Sequence, residues 1–237
     1  MIVILLYLQK YQYNMDDLGV LIKVEEQLYV RNPDSSKLGQ KIITTSIEMI
    51  NQLGFEKFTF KKLSTQIQST ESSVYRYFEN KHQLLLYLTS WYWNWMFYKI
   101  YMATVNIDSS IIKLKNAIDI LTKDTKEDEA ILYVNEILLN KIIITESSKA
   151  IHTKNVDKEN ENGCFESYKK VINKVADLVL EINPNFQYAH MLVATVIEGA
   201  QQQQYYINHL PSLTDNAKVE DTIATFYNEM VFKTIKK

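Results

Sequence analysis

The sequence predicts an all-α protein, and three observations carry that expectation. Five glycines and three prolines in 237 residues are too few breakers for a many-turned β fold. Apolar residues recur three or four apart in one segment after another, which is the helical period. Small polar residues of the kind that cap helices stand at the starts of those segments. A chain of this length can bury a sizeable core, and 46% hydrophobic residues is ordinary globular composition.

Residues 1–35 read as an N-terminal extension, with Arg31, Asn32 and Pro33 as a linker. Its opening MIVILLYL is apolar but far shorter than the roughly 20 residues of a membrane span. No basic residue precedes it and no small-residue cleavage site follows, so neither membrane insertion nor secretion is expected. Met15 stands as a second candidate initiator.

Residues 36–82 form the next unit. Ser35 and Ser36 offer an N-cap for a first helix, in which Ile43, Ile47 and Ile50 make one stripe and Gly54 marks the end. Thr59 caps a second, short segment with Leu63 and Ile67 on one side. Thr70 caps a third, in which Val74 and Phe78 share a face. Asn80 opens a long apolar helix. Short helix, brief turn and short helix with small polar residues at its start is the layout of a helix-turn-helix. Its second helix enters the DNA major groove N-terminus first. Residues 37–90 carry seven basic and four acidic side chains within a chain of net charge −2, a basic module on an acidic body.

From residue 83 to 237 the pattern is helix after helix. Residues 111–121 form one, and Ile131, Val134, Leu138 and Ile142 stripe the next; the run Ile142, Ile143, Ile144 has a helical lead-in rather than the look of a strand. Residues 146–163, with HTKNVDKENENG, are polar enough to predict a mobile loop. Val171, Val175, Leu178 and Ile182 mark a helix stopped at Asn183-Pro184. Residues 189–206 and 219–235 supply two more. The segment WYWNWMFYKIY at 91–101 is apolar nearly all round, as in a buried helix. Two readings stay open for it: dense interhelical packing, or an aromatic ligand cavity lined by Trp91, Trp95, Tyr98 and Tyr101.

Nothing in the chain suggests catalysis. His152, Cys164, His190 and His209 lack the spacing that would join a nucleophile, a base and an orienting group. A single cysteine forms no intrachain disulfide, and the acidic stretch 124–129 lacks the ligand alternation of a calcium loop. No enzyme, metal or cofactor is expected.

The segment LGQKIITTSIEMINQLGFEKFTFKKLSTQIQSTESSVYRYFENKHQLLLYL, residues 38–88, resembles the N-terminal domain of TetR-type transcriptional regulators. The elements that carry the resemblance are Gly54-Phe55, Phe58-Thr59, Val74-Tyr75-Arg76-Tyr77-Phe78, and Asn80-Lys81 opening a long helix with Leu84-Leu85. The resemblance implies phosphate or backbone contacts from Thr59, Lys61, Thr70, Tyr75, Tyr77 and Lys81, and base reading by Glu71, Ser72 and Ser73. It also implies a cytoplasmic homodimer on a palindromic operator in double-stranded DNA, paired through the last two helices, which repress until a small effector binds. Met191, Ala194, Gly199, Ala200, Ile223, Tyr227 and Met230 are the expected pairing residues. Two departures stand out: Gln68-Ser69 replaces the family's glycine and apolar residue in the turn, and Glu71 stands where basic or amide residues are common. The alternative is a helical protein-interaction module whose helix-turn-helix no longer binds DNA.

Overall fold

A computed structural model describes residues 22–126, 133–215 and 221–236. The opening apolar run, Met15, positions 127–129 of the acidic stretch, Ile131 and Val219 lie outside them. The described residues contain helices and turns and no strand. The helices are α1 Lys37–Leu53, α2 Phe60–Gln66, α3 Glu71–Tyr75, α4 Lys81–Thr104, α5 Ser110–Thr122, α6 Glu136–Glu146, α7 Ser148–Ile151, α8 Val156–Glu161, α9 Glu166–Ile182, α10 Ala189–His209 and α11 Thr222–Ile235. Three-residue 3-10 turns stand at Glu26–Leu28, Pro33–Ser35 and Pro211–Leu213. None of these helices is long and apolar enough to cross a membrane.

The four anticipated caps are formed. Ser36 accepts from Gly39 N–H at 3.1 Å, Thr59 from Lys62 N–H at 3.2 Å, Thr70 from Ser73 N–H at 3.2 Å and Asn80 from Gln83 N–H at 2.9 Å. Each satisfies one of the orphan donors that every helix start leaves. Helix α1 buries Ile42, Ile43, Ile47 and Ile50 and ends at Gly54, whose φ of 78° suits a residue without Cβ.

Helix α4 is the spine of the larger body. It packs against α5, α6 and α9, and buries side chains around nearly its whole circumference. Trp91 and Trp95 stack at 6.3 Å between centroids, and Phe78 meets Tyr87 edge-on at 5.3 Å, so one aromatic core runs from the small unit into the body.

Two expectations are corrected. Residues 22–35 are not a free extension with a linker. Ile22, Val24 and Leu28 are at most 5% exposed, and Val30 N–H donates to the Tyr77 carbonyl at 2.8 Å. Pro33 is buried against Gly39, where any Cβ would run into the Pro33 backbone. Glu25 accepts from Ser90 and pairs with Lys170, fastening the arm to α4 and α9. The second correction concerns 146–163, which forms α7 and α8 rather than a loop. Ala150 is fully buried, Lys149 bridges Glu146 and Glu56, and Glu159 bonds His82 at 2.8 Å. A few anchors suffice to order a segment whose average composition is polar.

Candidate nucleic-acid interface

Helix α2, residues 67–70 and helix α3 form the reading head. Leu63, Ile67, Val74 and Phe78 are between 0% and 3% exposed and hold the two short helices from behind. Burial of this kind contributes about 1.5–3 kcal/mol per side chain, enough to fix a five-residue helix that would not form alone. Between them Gln68 takes a φ of 56°, the left-handed conformation that glycine serves more cheaply. Ser69 N–H then reaches the Ser64 carbonyl at 2.8 Å, and the Lys41 ammonium donates to the Ile67 carbonyl at 3.0 Å. A tight turn therefore survives without the expected glycine, stabilised by a lysine from α1.

The outward surface of α3 is rich in hydroxyls. Thr70 Oγ1 lies 2.9 Å from Ser72 Oγ and 2.8 Å from Ser73 Oγ. Tyr75 is 48% exposed, yet its ring stands edge-on to Phe60 at 5.1 Å and its hydroxyl is 3.5 Å from Glu71 Oε1. Thr59 and Lys61 are exposed at the start of α2. Lys37, Lys57, Lys61 and Arg76 are exposed too, and none is in an ion pair among the described residues. Thr59, Lys61, Thr70, Ser72 and Tyr75 are thus exposed around the head, with Glu71 and Ser73 half-buried among them.

Tyr77 and Lys81 do not join them. Tyr77 is 2% exposed, three residues after Val74 on the inward side, and its hydroxyl meets Ser36 Oγ at 2.7 Å beneath the Arg31 guanidinium. The Lys81 ammonium donates to the carbonyls of Phe55 at 3.0 Å, Glu56 at 3.2 Å and Phe58 at 3.5 Å, and stands 4.7 Å from the Phe55 ring centroid. Both expected phosphate contacts are instead braces inside the unit.

The four aromatics considered for a ligand cavity likewise do not line one. Trp91 and Trp95 are packed in the core, Tyr98 is half-buried and Tyr101 is 48% exposed. The indoles fill the space a cavity would need, as close-packed interiors do. The open clefts lie elsewhere. One of about 460 Å³ is bounded by Thr122, Asn140, Lys141, Gln204 and Ile223. Another of about 550 Å³ lies between the end of α1 at Asn51 and Gly54, and α6 and α10 at Thr145 and Tyr205; Lys141, Ile144, Gln204 and Asn208 border both.

Residues that the periodicity did not single out connect head to body. Phe55 N–H donates to Glu146 Oε1 at 3.1 Å, Asn51 Nδ2 to the Leu138 carbonyl at 2.9 Å and Thr44 Oγ1 to the Tyr133 carbonyl at 2.6 Å. Lys149, hydrogen-bonded to Glu56, holds that carboxyl below its ordinary value. Their only sequence signal was the Glu146–Lys149 spacing, which by itself describes any helix surface.

A short helix set on an apolar platform, beside a larger helical body, is a helix-turn-helix arrangement within an all-helical fold. Over residues 42–88 its N-terminal unit matches the family model for bacterial regulatory proteins of the tetR family. Solved structures agree over nearly the whole fold. The fatty acid degradation regulator FadR from Bacillus halodurans is 16% identical, with a TM-score of 0.57 over 81% of this chain and 96% of that one. A tetR-family regulatory protein from Rhodococcus RHA1 is 12% identical, with a TM-score of 0.56 over 84% and 97%. AibR, solved with isovaleryl coenzyme A and operator DNA, is 12% identical, with a TM-score of 0.57 over 81% and 98%. At such identities the likeness is one of fold. No curated protein matches the sequence.

Proposed function

We propose that the chain is a DNA-binding transcriptional repressor that acts in the cytoplasm as a homodimer on a twofold-symmetric operator. The observation that carries this reading is the surface of α3. Thr70, Ser72 and Tyr75 carry their hydroxyls on exposed side chains beside half-buried Ser73, while Val74 and Phe78, both 0% exposed, lock the helix from behind. Small donors on a rigid, protruding helix can approach phosphates and base edges closely. One such helix reads few bases, so two heads related by a twofold axis are needed for a selective site.

Helices α10 and α11 suit the pairing. Met191 is 69% exposed and Phe226 is 56% exposed, with Ile223 and Met230 half-buried beside the core. Tyr227 and Ala200 are buried within the subunit, and Gly199 gives way to the Tyr227 hydroxyl, so these three serve packing inside the subunit rather than between copies. A small, partly apolar effector would act through the α6–α7 fastening to α1. It can do so only by binding one head spacing more tightly than the other. AibR carries isovaleryl coenzyme A and operator DNA on the same fold, which supports a ligand-controlled reading here.

Titration of the purified protein with duplex DNA at two salt concentrations tests the reading. Phosphate neutralisation predicts a steep fall in affinity with salt. A flat dependence or no binding favours the protein-interaction module instead.

A further inference from the structure

Glu71 is the one acidic side chain on α3, set among hydroxyls at the end that would meet DNA. No lysine or arginine pairs with it among the described residues, although Lys61 and Arg76 belong to the same head. Among the described residues its one side-chain hydrogen-bond partner is the Tyr75 hydroxyl at 3.5 Å, and that ring is held edge-on against Phe60. The half-buried carboxylate therefore stands beside a fixed donor at a long distance and has no countercharge among those residues.

We infer that Glu71 selects cytosine in the operator, accepting a hydrogen bond from the N4 amino group in the major groove. This rests on the DNA-binding reading above. A carboxylate brought against a duplex is repelled by phosphates and by most base edges. Guanine presents two acceptors there, and thymine an acceptor and a methyl group. Adenine offers its N6 amino group, but beside the N7 acceptor, which opposes the second carboxylate oxygen. Cytosine alone presents a donor without an acceptor on its own edge. With two heads on a symmetric site, the preferred base appears once in each half-site.

Selection of bound duplexes from a randomised library, run in parallel with wild type, Glu71→Ala and Glu71→Gln, tests the inference. Thermal unfolding of each variant checks that the substitution leaves the fold intact. Wild type should enrich cytosine at one position per half-site, with about tenfold weaker binding when that base is changed. Glu71→Ala should lose the preference there while keeping the rest of the site. Glu71→Gln should move it towards adenine, whose N6 and N7 suit an amide. Unchanged preference in all three proteins overturns the assignment and leaves the DNA-binding reading intact. Failure of all three to select any duplex, with no salt dependence of binding, removes that reading and the assignment with it.

Discussion

Lys81 separates two accounts of the same residue. Family position makes it a phosphate contact, whereas its ammonium touches three carbonyls of the 55–58 turn and the Phe55 ring. Replacing it by alanine removes charge-assisted hydrogen bonds, worth about 1.5–3 kcal/mol where they are well formed. It also removes a cation–π contact of about 0.5–1 kcal/mol. Because the site is partly open to solvent, the carbonyls can recruit water, and a net loss of about 2 kcal/mol is expected. With a urea dependence of about 2 kcal/mol/M, the unfolding midpoint should fall by about 1 M. Lys81→Met, which keeps the stem and loses the charge, should lose most of the same stability. The paired assay is the salt dependence of DNA binding. A brace leaves the slope of log affinity against log salt unchanged, whereas a phosphate contact lowers it by about one per subunit. Full stability together with a reduced slope would refute the brace.

Three further substitutions probe other parts of the structure. Gln68→Gly should stabilise the protein by about 0.5–1 kcal/mol in urea unfolding, since the left-handed turn strains glutamine and not glycine; a loss of stability would show that the side chain itself holds the turn. Burial pushes the Asp34 carboxyl above its ordinary value, against hydrogen bonds from Tyr133 and Tyr87. A raised folded-state pKa means its contribution is complete below the ordinary carboxylate pKa and is lost as pH rises through the folded value. The stability of Asp34→Asn relative to wild type should therefore grow as pH rises above the ordinary carboxylate pKa, and a constant gap in thermal midpoints contradicts the burial argument. Phe226→Glu should yield monomers in sedimentation velocity and weaken operator binding by at least about tenfold; an intact dimer would place the subunit contact elsewhere than on α11.

Side chains whose partners lie within a turn of helix were legible in the sequence, and those whose partners come from far along the chain were not. Ser36, Thr59, Thr70 and Asn80 cap backbone donors three residues on, so residue type and the apolar stripe that follows were enough to find them. The all-helical class followed from the same local signals. Tyr77 bonds Ser36 across 41 residues and Lys81 reaches carbonyls 23 to 26 residues back, and nothing local distinguishes an inward tyrosine or lysine from an outward one. Segment 146–163 was misread for a related reason. Its composition forecast solvation, but Glu146 and Ala150 are buried and Glu159 finds His82, 77 residues away. The aromatic helix could be read as buried but not as either packed or hollow, because that depends on how the indoles of Trp91 and Trp95 meet. The same distinction bears on what the reading head does. Polar groups at the start of α3 bond one another, through short contacts of Thr70 with Ser72 and Ser73. On the proposed DNA-binding reading, a surface held this rigidly by Val74 and Phe78 would lose little side-chain or backbone entropy on meeting a duplex, so its few hydrogen bonds would serve discrimination rather than ordering of the helix.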